Sequence, residues 1–108
     1  MRATPTLPQQ ALRLTFFTRP HCSLCTQAHH VLASVRRRRP FAYTEIDITA
    51  AGQASWRELY DFDVPVVHFD RGAENTPTSA AARKLMHRFS EAQVETAMDE
   101  TARAAVRS

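Results

Sequence analysis

The sequence predicts one α/β domain on a mixed four-stranded sheet, with its elements in the order β-α-β-α-β-β-α. Three observations predict it. Two β-prone runs, Leu12–Thr18 and Phe41–Ile48, flank a stretch of helical periodicity, and together they form a βαβ unit with parallel strands. A helix, two strands and a last helix follow, with no internal repeat. The composition of the 108 residues, 44% apolar and 23% charged with two glycines, is that of a packed globular chain of ordinary domain size.

Residues 1–11, with Pro5 and Pro8, read as an irregular tail before a domain over 12–104. Leu12–Thr18 (LRLTFFT) is the first strand, and Arg19-Pro20-His21 breaks it. Ser23 to about Arg38 is helical, because Leu24, Ala28, Val31, Leu32 and Val35 recur at three- and four-residue spacings. The arginine run and Pro40 end that helix. In the second strand, Phe41–Ile48, the residues Thr44, Ile46 and Ile48 share one face and Glu45 and Asp47 the other. Ala54 to about Asp61 is a short helix with Trp56, Leu59 and Tyr60 clustered on it. Val64–Phe69 is a third strand, opened by a proline that a strand end tolerates. Residues 70–82 are polar and turn-rich, long for a hairpin connection. Arg83–Phe89 is the fourth strand, antiparallel to the third. Ser90, with Gln93 three residues on, carries the capping-box pattern that starts the last helix.

Several function classes are set aside by the same reading. No apolar run approaches membrane-spanning length. The first residues lack the apolar stretch of a secretory signal, and two cysteines cannot build a multi-disulfide secreted scaffold. The expectation is an intracellular protein, cytoplasmic or mitochondrial, the latter because the start is free of acidic residues up to Glu45 and carries Arg2 and Arg13. The formal charge of +3 comes largely from Arg36-Arg37-Arg38-Arg39. That run reads as a helix C-terminus complementing its dipole rather than as a nucleic-acid surface, for no interleaved aromatics accompany it.

The chemistry-bearing motif is Cys22-Ser23-Leu24-Cys25. A CxxC that follows a strand and opens a helix inside a βαβ unit points to redox chemistry. At the helix N-terminus, free backbone N–H groups and the helix dipole favour a thiolate at Cys22, and nearby Arg19 adds to this. Cys25 lies one turn on and is expected to face inward. The spacing suggests unequal roles: Cys22 attacks a disulfide, and Cys25 resolves the mixed disulfide. His21, His29 and His30 flank the pair, but all these residues sit at one strand–helix junction, so a closed tetrahedral zinc site is not expected and no metal is assigned.

Phe17-Thr18-Arg19-Pro20-His21-Cys22-Ser23-Leu24-Cys25 resembles the aromatic-Ser/Thr-Lys/Arg-Pro-x-C-x-x-C opening of glutaredoxins, and Val64-Pro65-Val66 resembles a second motif of the divergent glutaredoxin-like branch. The resemblance spans about residues 12–101. It implies a thioredoxin-like fold, with Cys22 as nucleophile, Cys25 as second cysteine and Pro65 following a cis peptide bond. It also implies that Val64 offers its backbone to an extended thiol substrate and that Arg19 holds a carboxylate of glutathione. The chain departs from the family at Ser23-Leu24, where Pro-Tyr is usual, and at Arg88-Phe89-Ser90-Glu91, where a Gly-Gly pair and a polar residue are usual.

These readings lead to a thiol–disulfide oxidoreductase, an electron-transporting dithiol protein that holds no bound cofactor and acts as a monomer. Its partners are a disulfide-containing protein or a glutathione mixed disulfide, with glutathione as one candidate reductant. Two alternatives stay open: a non-catalytic interaction module within a larger assembly, and iron–sulfur cluster handling.

Overall fold

The computed structural model describes residues 12–72 and 76–106. The expected tail over 1–11 lies outside them. The elements are β1 (Leu12–Thr18), α1 (Ser23–Arg38), β2 (Ala42–Asp47), α2 (Ala54–Tyr60), β3 (Val66–Arg71), β4 (Arg83–Met86) and α3 (Glu91–Val106). The sheet runs β2-β1-β3-β4, with β1 parallel to β2 and antiparallel to β3, and β3 antiparallel to β4. This is the mixed α/β arrangement expected from the sequence. Among the described residues, no helix is long and apolar enough to cross a membrane.

β1 is central because both of its faces are buried. Leu14 and Phe16 join Cys25, Ala28, Leu32 and Val35 of α1 and Val94, Ala97 and Met98 of α3 in the larger core. Phe17 points the other way, into a smaller cluster with Ile48, Tyr60 and Val66. Burying a phenylalanine side chain contributes about 2–3 kcal/mol, so the adjacent pair Phe16-Phe17 fixes which helices lie on which face.

The arginine run ties these layers together. Arg38 pairs with Glu91 at 2.6 Å and with Glu95, and Arg39 pairs with Asp99 at 2.8 Å. The end of α1 is thereby strapped to α3, and the hydrogen bonds from Arg38 hold the Glu91 and Glu95 carboxyls below their ordinary range. Arg36 instead lies over the rings of Phe41 and Tyr43. The run is a helix end, as expected, with carboxylates of the neighbouring helix as its partners.

Three strands differ from expectation at their ends, β3 also running two residues further, to Arg71. β2 is shorter by a residue at each end, since Phe41 and Ile48 turn into the core clusters. The ladder of β3 starts at Val66, not Val64, because Pro65 has no N–H to donate; its carbonyl accepts the amide of His87 at 2.8 Å. β4 stops at Met86 because His87 adopts a left-handed conformation, φ 68°. The capping box is present: Ser90 N–H donates to Gln93 Oε1 at 2.8 Å, and Gln93 N–H donates to Ser90 Oγ at 3.1 Å.

The second sheet face changes character along the strands. Near the end of β1 the row Ile46–Phe17–Val66–Met86 is apolar, whereas two residues back the row Thr44–Thr15–His68–Lys84 is polar. His68 is fully buried there. Thr78 donates its hydroxyl to Asp70 at 2.6 Å, so its oxygen accepts from His68 Nδ1 at 2.9 Å, and His68 Nε2 accepts the Tyr60 hydroxyl at 2.6 Å. Burial, with a smaller push from Lys84, lowers the His68 pKa to about 4 against a weaker pull from Asp70.

Two predictions concern this frame. Ser90→Ala removes the cap and lowers unfolding free energy by about 1 kcal/mol in urea titration; an unchanged midpoint would contradict the cap. His68 resists protonation when folded but takes up a proton when unfolded below about pH 6.5. Stability therefore falls as pH drops from about 6.5 toward 4, by up to ~1.4 kcal/mol per pH unit from this group. In His68→Phe the baseline is lower, with the Tyr60 hydroxyl left without its partner while Thr78 keeps Asp70, and this slope disappears; an identical slope in both proteins would count against a neutral buried His68.

Candidate active site

The site is built by the turn from β1 into α1. Pro20 interrupts the strand, and His21 reverses the chain in a left-handed conformation, φ 60°. Cys22 then stands as N-cap of α1 in extended geometry. Its Sγ accepts the amide hydrogen of Cys25 at 3.1 Å, and its carbonyl accepts that of Thr26, also at 3.1 Å. The sulfur thus takes the place that a serine or aspartate oxygen usually fills at a helix start. No acidic residue lies in the first turn to oppose negative charge there.

Cys22 and Cys25 are joined by a disulfide, with their Cα atoms 5.2 Å apart. Cys25 is 3% exposed and belongs to the larger core, while Cys22 is half-buried at its edge. The inequality expected of the two cysteines is therefore present in their burial. Both line a cleft of about 580 Å³ together with Arg19, His21, His29 and Glu45.

Arg19 is placed beside Cys22 in this cleft, but its guanidinium is engaged. It donates to the Asp61 carbonyl at 3.0 Å and also to the Asp61 carboxylate. Asp63 pairs with His87 at 3.3 Å. The turn Asp61-Phe62-Asp63 is thus held on one side by the loop that carries the dithiol and on the other by the residue that ends β4. The ring of Phe62 between these carboxylates is 93% exposed. Val64 follows, half-buried against both core clusters, and the Val64–Pro65 bond is cis. Since Phe17 pairs with Val66, Pro65 sits alongside the end of β1 from which the dithiol turn departs.

A second groove, about 280 Å³, runs on the far side of Leu24 between Val31, Arg88 and Phe89. The α3 N-terminus that borders it is occupied by its own capping box, and Glu91 is paired with Arg38. Residues 76–78 of the long connection reach Arg13, Thr15 and Trp56 at the polar end of the sheet, and Arg13 donates to the Thr76 carbonyl at 2.7 Å. Among the described residues, this connection lines neither the dithiol cleft nor the second groove.

The comparisons with known proteins agree with this geometry. A family model described as "Glutaredoxin-like domain" (DUF836) matches residues 13–99. The chain belongs to that family. Among solved structures, the fold resembles a structural-genomics target from X. campestris at 24% identity, covering 81% of this chain and 96% of that one, with a TM-score of 0.59. It also resembles oxidised thioredoxin O2 from Arabidopsis thaliana at 16% identity, covering 85% and 76%, TM-score 0.60. A thioredoxin-like protein from Clostridium perfringens matches at 16% identity over 84% and 71%, TM-score 0.64. The glutaredoxin-like domain accordingly has the thioredoxin-like fold.

Of the residues named from the sequence, Arg19, Cys22 and Cys25 line one cleft, while Val64 and Pro65 lie beside the end of β1 and do not line it; Glu45 in the cleft and Asp61 on Arg19 were not foreseen. A carboxylate 42 residues from Arg19 gives no local signal. Asp61→Asn removes the carboxylate charge that offsets the Arg19 guanidinium, while the main-chain carbonyl at 61 still accepts from it. The expected outcome is a several-fold faster reaction of reduced Cys22 with an anionic disulfide than with a neutral one, shrinking as salt is added; equal rates for both reagents at low salt would count against a charge role for Arg19.

Proposed function

We propose that this glutaredoxin-like domain is a thiol–disulfide oxidoreductase. Cys22 attacks a disulfide of the partner and forms a mixed disulfide; Cys25 then attacks Cys22, releases the partner thiol and closes the intramolecular disulfide. The observation that carries the reading is the unequal placement of the two sulfurs: Cys22 caps α1 at the rim of an open cleft, and Cys25 is buried one turn inward. A helix start with no acidic residue in its first turn stabilises the thiolate that attack requires and makes it a good leaving group on return.

The partner in this reading is a disulfide-containing protein or a glutathione mixed disulfide, and the reaction needs no bound cofactor. Val64 and Pro65, beside the end of β1, form the edge along which an extended substrate lies. Arg19 binds a substrate carboxylate by exchanging it for Asp61, since a guanidinium grips one carboxylate in the bidentate manner at a time. Glutathione and a thioredoxin-reductase system are both tenable electron donors, because the Gly-Gly segment of typical glutaredoxins is absent and the α3 N-terminus is already capped. The protein acts as a monomer inside the cell.

The test is reduction of a glutathione mixed disulfide and of insulin, each with glutathione or with the thioredoxin-reductase system as donor. Cys22→Ser abolishes every activity that wild type shows. Cys25→Ser accumulates a mixed disulfide at Cys22 that is visible in the intact mass. Full activity in Cys22→Ser would overturn the proposal.

A further inference from the structure

Resolution by Cys25 poses a problem of proton transfer. The disulfide-bonded Cys25 is 3% exposed, and once reduced its neutral thiol is a poor nucleophile, so its proton must leave as it attacks. The way out is the cleft of about 580 Å³ that both cysteines line. Among the described residues its other titratable walls are Arg19, His21, His29 and Glu45. Arg19 has no acceptor capacity and is bound to Asp61. His21 precedes Cys22 on the exposed turn, on the outer side of the pair. His29 lies four residues after Cys25 on α1, which places the two on one helix face about one turn apart, with Cβ atoms roughly 6 Å from each other.

The surroundings of His29 suit a proton acceptor. Its ring centroid is 6.4 Å from that of Phe16, which belongs to the same core cluster as Cys25, so the imidazole stands where that core opens into the cleft. Its Nε2 lies 3.8 Å from Glu45 Oε1, and that carboxylate is held by the Tyr43 hydroxyl at 2.8 Å. At that distance one water, or a small turn of the ring, completes a bond from His29 Nε2 to Glu45, which leaves the other ring nitrogen able to accept a proton. The side chain of His29 is 52% exposed, so a proton it accepts passes readily to water.

We propose that His29 accepts the Cys25 proton during resolution, directly or through one water in the cleft, and that Glu45 is its positioning residue. The inference rests on the reading of Cys22 and Cys25 as a redox pair. In the step, the Cys25 sulfur forms a bond to the Cys22 sulfur while the bond from Cys22 to the partner sulfur breaks. The electron pair leaves on the partner thiolate, and the Cys25 proton moves to His29 and then to that thiolate or to water. The Cys25 sulfur is oxidised from thiol to disulfide and the partner sulfur is reduced from disulfide to thiol, while the Cys22 sulfur stays at the disulfide level, so the step needs no further reagent. The charges that face His29 are Glu45 and the Tyr43 hydroxyl on β2, His30, Arg36 and Arg37 on its own helix, and Arg19 and His21 from the turn.

Stopped-flow reaction of the reduced protein with 5,5′-dithiobis(2-nitrobenzoate) separates the two steps, because attack by Cys22 releases one nitrothiolate and resolution by Cys25 releases a second. In wild type the second phase accelerates as pH rises through a histidine-like inflection. In His29→Asn the first phase is unchanged, whereas the second slows by about 100-fold near neutral pH, loses that inflection and recovers with added imidazole. Glu45→Gln slows the second phase and leaves the first unchanged, as loss of a positioning contact requires, and His29→Gln repeats the asparagine result should His29→Asn fold poorly. A second phase that follows only a thiol titration, alike in wild type and both His29 variants, would overturn the inference. Absence of any Cys22-dependent first phase would instead overturn the proposed function.

Discussion

The sulfur of Cys22 accepts the amide hydrogen of Cys25, so the helix that draws Cys25 into the core is the same helix whose first turn holds the sulfur of Cys22 at the surface. The arrangement needs β1 to be anchored on both faces, by Phe16 toward α1 and α3 and by Phe17 toward α2. It needs Pro20 and the left-handed His21 to turn the chain within three residues. It also needs α1 to be seated firmly, which the buried stripe Cys25, Ala28, Leu32 and Val35 and the arginine straps to α3 provide. Exposed ion pairs are individually weak, about 0–1 kcal/mol, but here several share two arginines and fix one helix end against another.

The sheet divides its work between its ends. Apolar rows lie toward the dithiol, where the Asp61-Phe62-Asp63 turn, the Val64-Pro65 segment and the β1–α1 turn meet through pairs to Arg19 and His87. Polar rows lie at the opposite end, where Tyr60, His68, Thr78 and Asp70 form one directional chain of hydrogen bonds. Each buried polar group in that chain has a partner, which is the condition for such groups to hold a structure together rather than weaken it. The long connection after β3 belongs to that second end. Its residues 76–78 lie over the polar row, and among the described residues none of it lines the dithiol cleft.

Much of this was legible in the sequence because it is local. β1 and α1 have the limits that periodicity and Pro40 indicate, and Ser90 with Gln93 forms the cap that their spacing implies. The asymmetry of the cysteines follows from their place at a strand–helix junction. The early end of β4 was not legible, since His87 takes a left-handed conformation with no glycine or asparagine to signal it. The partner of Arg19 was not legible either, because Asp61 is brought to it only when α2 packs beside the end of β1. The same holds for His68, whose neutral, buried state depends on a tyrosine from α2 and a threonine from the connection. The sequence offers His29 only as a flanking residue unsuited to a zinc site; its approach to Glu45 depends on the parallel register of β1 and β2.

The central claim is that the helix start prepares the Cys22 sulfur as a thiolate. Ultraviolet absorbance of the fully reduced protein across pH, compared with that of Cys22→Ser and Cys25→Ser, measures it most directly. The account predicts one thiol, lost in Cys22→Ser and kept in Cys25→Ser, that ionises well below the ordinary cysteine value of about 8.5, while the other ionises above it. Two thiols ionising together at that ordinary value would contradict the account.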